Sequence, residues 1–212
     1  MMHWHPLVDE FLPTLIALRR QIHRHPELGF QEHRTAALIA STLTALGISP
    51  CSGVAGTGVT AVLAGQAGPT VAIRADMDAL PIQEQNAVPY ASTVPNVMHA
   101  CGHDGHVATV LGAAMVLSKL APLPGTVKFI FQPAEEGPGG ARPMIEAGVL
   151  QHPAVEAIFG LHLTNALPVG RIGVCYGQTC AATDEIKITV LGKGGHGAHP
   201  HQAVDAIVAA AQ

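Results

Sequence analysis

The sequence contains one short segment that is dense in groups able to bind metal ions. HACGHDGH (99–106) places the thiol of Cys101 close to the imidazole of His103, and Gly102 and Gly105 allow the backbone to fold tightly around an ion. Thiolate and imidazole, joined by carboxylates from elsewhere, suit zinc or a similar divalent metal. The competing interpretation is a glycine-rich loop whose histidine and aspartate side chains only cap the helix that follows.

A second segment, PAEEG (133–137), places two carboxylates side by side. Neighbouring side chains in an extended segment point in opposite directions, so one glutamate can bind a metal while the other faces a substrate. The alternative is the start of a helix, where the helix dipole favours acidic residues. The metal interpretation of Glu135 and Glu136 gains weight because the cysteine and histidine loop is expected at the same edge of the fold.

Three further residues are candidates because of where they stand in the chain. Asp78 follows the predicted strand 70–75 and suits the carboxylate that commonly orients a metal-bound imidazole, although an ordinary strand-to-loop transition explains it equally well. His162 ends the predicted strand 155–162, and alone it would be assigned to the core. His196 lies in a glycine-rich turn, either as a solvated side chain or as a mobile donor that meets the substrate.

Apolar periodicity predicts the elements that position these residues. Helices are predicted from Phe11 to Ile22, ending before Pro26, from Ile39 to Leu46, ending at Gly47, and over the apolar segment 105–120, with a short helix in GGARPMIEAGVL. Strands are predicted at 59–64, 70–75, 126–131, 155–162 and 170–176, the first two as neighbours joined by the turn GQAGP. This alternation predicts an open α/β sheet covered on both faces. Ligands bind at the carboxyl ends of the strands in such sheets, where the acidic residues and His162 collect.

The pattern changes after Gln178. The segment 184–195 alternates like a half-exposed strand, and 203–212 begins a helix without a stop signal. We therefore predict a domain boundary near Thr179, with a catalytic domain over 1–179 and the beginning of a second domain over 180–212.

Composition excludes several classes of protein. The 212 residues are 48% hydrophobic and 12% charged, which indicates a compact fold with a large core. A net charge of −4 without a run of Lys or Arg predicts neither a nucleic-acid nor a membrane partner. The absence of a signal-peptide pattern and the scattered positions of four cysteines predict a cytoplasmic protein with reduced thiols.

Six segments together resemble a family of metal-dependent amidohydrolases that includes hippurate hydrolases, bacterial N-acyl-amino-acid amidohydrolases and plant auxin-conjugate hydrolases. They occur in order along the chain: HRHPELGFQE (23–32), RADMDALPI (74–82), HACGHDGHVA (99–108), FQPAEEGPGGA (131–141), GLH (160–162) and GKGGHGAHPHQAVDAIVAAAQ (192–212). The resemblance implies a zinc-aminopeptidase-like three-layer α/β catalytic domain with an inserted ferredoxin-like α+β lid domain that also mediates dimerisation.

The resemblance also implies residue roles and binding partners. The implied metal ligands are Cys101, His103, Glu136 and His162, which would hold two divalent ions per subunit, Zn²⁺ or Mn²⁺, with Ni²⁺ and Co²⁺ as further candidates. Glu135 would be the general base, Asp78 a supporting aspartate, and His196 the lid residue that meets the reacting carbonyl, usually from the partner subunit.

The expected substrate is a small N-acyl amino acid, such as hippurate or an N-acetyl amino acid, and the full-length form is expected to be a homodimer or homotetramer. Relatives continue beyond this length, complete the lid and supply a late histidine to the metal site. The chain is therefore expected to be a fragment of a longer protein or a truncated product. Two alternatives stay open, namely a thiol amidase with Cys101 as the nucleophile and an inactive remnant that holds a metal loosely.

Overall fold

The computed structural model describes residues 4–137, 139–178 and 186–212. The chain forms two compact units, Met1–Asn165 and Ala166–Gln212. The domain boundary predicted near Thr179 falls in 179–185, outside the described residues, and stays a prediction.

The described part of the first unit alternates helices and strands. In chain order the elements are α1 (His5–Arg24), α2 (His33–Ala45), β1 (Pro50–Val54), β2 (Gly58–Leu63), β3 (Thr70–Asp76), α3 (His103–Leu120), β4 (Thr126–Gln132), α4 (Ala141–Glu146) and β5 (Ala157–Gly160). The predicted helices all form. α1 ends just before Pro26, and Gly47 after α2 is left-handed, with a φ of 76°.

The strands form one mixed sheet in the order β1-β2-β4-β3-β5. β3 runs parallel to both of its neighbours, β4 and β5, whereas β2 is antiparallel to β1 and β4. The predicted α/β sheet is confirmed, and the carboxyl ends of its three parallel strands lie at one edge.

The prediction that strands 59–64 and 70–75 are neighbours was wrong, because β4 is inserted between β2 and β3. The glycines between β2 and β3 allow this segment to lie close to the residues that precede β4. A Cβ on Gly65 would lie 2.0 Å from the carbonyl oxygen of Gly125, the residue that precedes β4. The GQAGP segment therefore packs against the chain entering β4 and does not close a hairpin.

Helices α2 and α3 pack against one face of the sheet, and α1 packs against α3. Alternation along β4 sends Phe129 and Phe131 into the core on this face and Ile130 to the opposite face. There α4 adds the buried Met144, so the second face is covered in part and the edge strand β5 stays exposed. No helix in the described ranges is long and apolar enough to cross a membrane.

The second unit is less regular. Its described residues form a short 3₁₀ helix, Pro200–Gln202, a helix α5, Ala206–Ala210, and one antiparallel bridge between Lys193 and Val204. The strand predicted at 170–176 does not form, nor does the one predicted at 184–195 in its described part, 186–195. A strand needs a partner along its length to bind its backbone groups. Among the described residues, 170–176 has no such partner strand, and 186–195 has only the single bridge from Lys193 to Val204. The predicted helix near the end of the chain does form, and Asp205 caps it.

Candidate metal centre

The candidate residues of the first unit meet at the carboxyl edge of the parallel strands. Asp78 follows β3, Glu135 and Glu136 follow β4, and His162 follows β5. His103 is the first residue of α3, which packs against β3 and β4. The topology therefore delivers donors from four separate stretches of chain to one place.

His103 lies at the centre of this group. Its ring is fully buried, and Nδ1 is 3.2 Å from Oδ1 of Asp78, which leaves Nε2 facing the other donors. Nε2 lies 3.7 Å from a carboxylate oxygen of Glu136 and 3.7 Å from one of Asp76. It has no hydrogen-bond partner among the residues that the structure describes. A buried nitrogen without a partner costs free energy, and a metal ion would satisfy it.

Cys101 and His162 complete one side of the site. The Cys101 Sγ lies 3.3 Å from Nε2 of His162, while Nδ1 of His162 lies 2.7 Å from the carbonyl oxygen of Leu163. A bond from Nδ1 to a carbonyl or carboxylate is the usual way in which a protein orients a ligating imidazole. Both His103 and His162 therefore present Nε2 to the same space.

The donor atoms are close enough to share metal ions. Ligand atoms of Cys101, His103 and His162 all lie within 4.8 Å of one another, as do those of His103, Glu135 and Glu136. His103 belongs to both groups, so the two sets of donors adjoin. Sulfur, nitrogen and carboxylate oxygen together suit zinc and related divalent ions, so the residues present fit the implied metals.

A third close group contains Asp76, His103 and His106, but His106 is already engaged. Its Nδ1 lies 2.6 Å from Asp76, and its Nε2 accepts the backbone N–H of Leu163 at 2.9 Å. Both ring nitrogens are thus occupied by protein groups. His106 holds the residue after His162 and is better described as a support for that candidate ligand than as a candidate itself.

Comparison with known proteins agrees with this geometry. The sequence profile of peptidase family M20/M25/M40 matches residues 72–212. The chain belongs to this family. An M20 dinuclear metal-binding peptidase from Bacillus subtilis, solved as a crystal structure, is 51% identical, with a TM-score of 0.75 over 79% of this chain and 47% of that one.

Two curated relatives carry names for specific activities. An N-acyl-L-amino acid amidohydrolase from Geobacillus stearothermophilus is 51% identical over 209 residues, which are 97% of this chain and 56% of the relative. An N-acetylcysteine deacetylase from Bacillus subtilis is 50% identical over 205 residues, which are 95% of this chain and 53% of the relative. The chain thus spans about half the length of the curated relatives it matches.

Electrostatics in this M20 site favour bound cations. Burial alone would raise the pKa of Asp76, but the hydrogen bond from His106 and the charge of Arg74 lower it below the usual value of 3.8. Burial would likewise raise the pKa of Asp78, but hydrogen bonds from His103 and from the backbone N–H of Glu136 lower it. Both carboxylates are therefore ionised at neutral pH, and their negative charge favours a divalent cation.

Asp76, Arg74 and His106 have no predicted role, although each stands in a segment that contains candidate residues. The spacing of His103 and His106, three residues apart on a helix, was a usable signal, because such residues share one helix face. Arg74 donates to Asp76 at 2.7 Å and also to the side chain of Gln132. These bonds join the ends of β3 and β4 beneath the site.

The predicted lid residue His196 lies in the second unit, where its side chain is exposed. Its Nδ1 accepts the backbone N–H of Ala198 at 3.1 Å, and its ring contacts that of His199. The role predicted for His196 at the reacting carbonyl stays a prediction.

Proposed function

We propose that this chain supplies the metal centre and the general base of an amidohydrolase that cleaves the amide bond of N-acyl amino acids, such as hippurate or N-acetyl amino acids. The names of the relatives support this substrate class, since both refer to removal of an acyl group from an amino acid. The observation that supports it best is the buried Nε2 of His103, which faces thiol and carboxylate donors and has no partner in the described ranges.

In this proposal Cys101, His103, Glu136 and His162 hold two divalent ions, and Asp78 keeps His103 in the ligating orientation through the bond at Nδ1. The bound ions supply Lewis-acid chemistry, in that they lower the pKa of water and polarise the scissile carbonyl. Glu135 accepts a proton from the attacking water and returns it to the departing amine nitrogen. His196, which the lid of a partner subunit usually offers in the family pattern, donates to the developing oxyanion.

The test of this mechanism is Glu135→Gln in the protein extended to the length of its relatives. The substitution keeps the shape of the side chain but removes the base, so turnover of N-acetyl amino acids should fall about 10²- to 10⁴-fold. Metal content, measured on the same sample by elemental analysis, should not change. Substantial turnover with the metal still bound would reject Glu135 as the general base.

The 212-residue chain should be assayed in parallel with Mn²⁺ or Zn²⁺ and beside the extended version. An active long form with a silent short form would support the proposal for the whole protein and assign no catalysis to the short chain. If neither form binds a metal ion or hydrolyses an N-acyl amino acid, the proposal fails.

The contact between Cys101 and His162 also resembles the thiol–imidazole pair of a cysteine amidase. However, burial and the neighbouring carboxylates, Glu136 first among them, raise the pKa of Cys101 to about 12, which opposes the thiolate that a nucleophile needs. Activity that survives thorough chelation but is lost on alkylation of the thiol would favour this rival. Loss of activity on chelation and its return with added metal would favour the metal mechanism.

A further inference from the structure

The segment HRHPELGFQE (23–32) belongs to the sequence pattern of the family but has no part in the mechanism above. It links α1 to α2, and its last residue, Glu32, has a fully buried side chain. A buried carboxyl group is rare unless a cation or hydrogen-bond donors compensate it. No ion pair to Glu32 occurs in the described parts of the chain, so its hydrogen bonds must explain its place in the core.

Both carboxyl oxygens of Glu32 receive a hydrogen bond from a distant part of the chain. The backbone N–H of Ala134 donates to Oε1 at 2.9 Å, and the hydroxyl of Thr57 donates to Oε2 at 2.5 Å. Ala134 immediately precedes Glu135 and Glu136. Glu32 therefore binds the backbone of the loop that carries both candidate glutamates.

Ala134 has an unusual backbone conformation that needs such support. Its φ is 49°, in the left-handed region that residues with a Cβ avoid, and it is fully buried. Its carbonyl oxygen accepts the N–H groups of Gly139 and Gly140 at 3.1 and 2.9 Å. Since a buried backbone N–H without an acceptor costs free energy, the bond from Ala134 to Glu32 favours the left-handed turn.

A second buried carboxylate holds the other end of the same turn. The backbone N–H of Glu136 donates to Oδ2 of Asp78 at 3.0 Å, and Asp78 also binds His103. The stretch from Ala134 to Glu136 is thus fixed at both ends, which sets where the glutamate side chains leave the backbone relative to Nε2 of His103.

We propose that Glu32 is a positioning residue that holds Ala134 in its left-handed conformation and thereby aims Glu135 and Glu136 at the metal centre. The consequence for catalysis rests on the proposed function, whereas the effect on the loop does not. The plainer alternative is that Glu32 only caps α2. Its side chain makes no capping bond, and Glu27 binds the N–H groups of Arg34 and Thr35 instead.

The test is local amide exchange, measured by hydrogen–deuterium exchange on the 212-residue chain without metal. Glu32→Met keeps the size of the side chain but removes the acceptor, and should speed exchange at Ala134 and its neighbours by about tenfold or more, as expected for local opening. Glu32→Gln should restore slow exchange, because its carbonyl oxygen can accept from Ala134 while its amide donates to Thr57. Unchanged exchange in a folded Glu32→Met variant would overturn the proposal.

Glu27→Met is the matched control, since it removes a carboxylate of the same segment that also binds backbone N–H groups. It should speed exchange at the start of α2 and leave the loop around Ala134 protected. Equal loosening of that loop in both variants would reduce Glu32 to a general stabiliser and overturn the proposal. If Glu32→Met does not fold, Thr57→Val is measured in its place, because it removes the hydrogen-bond donor to Oε2 of Glu32. Unchanged amide exchange around Ala134 in Thr57→Val would count against the proposal.

Metal affinity gives a second readout that separates this proposal from the proposed function. Competition with a chromophoric chelator should show about 10- to 100-fold weaker Zn²⁺ binding in Glu32→Met, with recovery in Glu32→Gln. In the extended protein the same variant should lower kcat more than it raises KM. If the unaltered chain binds no metal, the proposed function fails, while the exchange experiment still decides whether Glu32 positions the loop.

Discussion

Many residues of the three inner strands of the first unit, β2, β4 and β3, are buried, whereas similar residues of the second unit are exposed. Phe129 on β4 has no exposed surface, and Ile172, in the segment 170–176, is 92% exposed. Both segments are rich in β-branched and apolar residues. β4 has hydrogen-bonded strands on both sides, whereas 170–176 has no partner strand among the described residues. Pairing, more than local preference, therefore decides which of the two segments becomes a strand.

Histidine side chains show the same contrast. In the first unit His103 and His106 are fully buried, and each has a carboxylate at Nδ1. In the second unit His196 is exposed and bonds only a nearby backbone N–H among the described contacts. Buried bonds from several elements fix a side chain, whereas a turn alone leaves it free to reorient. The first arrangement suits a metal ligand, and the second suits a donor that meets a substrate on arrival.

The two units should differ most in how much their apolar side chains contribute to stability. Phe129→Ala removes a fully buried ring from the core and should lower the free energy of unfolding by about 3–5 kcal/mol. Ile172→Ala changes an exposed side chain and should stay within about 0.5 kcal/mol. Urea unfolding followed by circular dichroism measures both. A large loss of stability in Ile172→Ala would mean that residues 170–176 are buried in solution, in contradiction to the exposure of Ile172.

A smaller effect is expected on metal binding. His106→Phe removes the bonds to Asp76 and to the N–H of Leu163, so His162 loses its support and Zn²⁺ affinity should fall about 10- to 100-fold. His196→Phe in the second unit should leave the affinity unchanged. Chelator competition measures both variants. Equally weakened Zn²⁺ binding in the two variants would show that His196 also helps to hold the ion. Unchanged Zn²⁺ affinity in His106→Phe would show that His106 does not support His162.

Much of the first unit could be predicted from local patterns. The helices and four of its strands follow from apolar periodicity. Of the candidate ligands, Cys101 and His103 follow from their motif, and Glu136 and His162 from their positions after strands. The order of the strands could not be predicted, because GQAGP is equally compatible with a hairpin turn and with a close crossing of two segments. The strand at 50–54 was missed since its residues PCSGV show neither a clear apolar alternation nor a β-branched run.

The supports of the candidate site were also beyond local reasoning. Glu32 and Ala134 are separated by 102 positions, and no spacing rule links them. The same holds for His106 and Leu163, which meet only because α3 and the end of β5 lie at one edge of the sheet. Ligand types can be read from short motifs. The residues that orient those ligands depend on the tertiary fold.

The smallest predicted effect concerns how α1 is held to α3 in the first unit. His23 of α1 lies with Nδ1 2.9 Å from Asp104 and Nε2 3.2 Å from Glu84, and Arg19 of the same helix also binds Asp104. The hydrogen bond to Asp104 raises the pKa of His23 above its usual 6.5, against the opposing effect of burial, and Glu84 adds to the rise.

A raised pKa in the folded state means that the charged form of His23 stabilises the fold. This contribution is complete below pH 6.5, the value for the unfolded chain, and is lost as the pH rises through the higher pKa of the folded state. Unfolding midpoints in urea, measured from acid to alkaline pH, should therefore differ most between the unaltered chain and His23→Gln at low pH, and converge as the pH rises. His196→Gln, which changes an exposed histidine of the second unit, should leave the profile unaltered. If the difference in unfolding midpoint between the two proteins stays constant with pH, His23 acts as a neutral side chain. If the difference grows at alkaline pH, the coupling of His23 to Asp104 has the opposite sign.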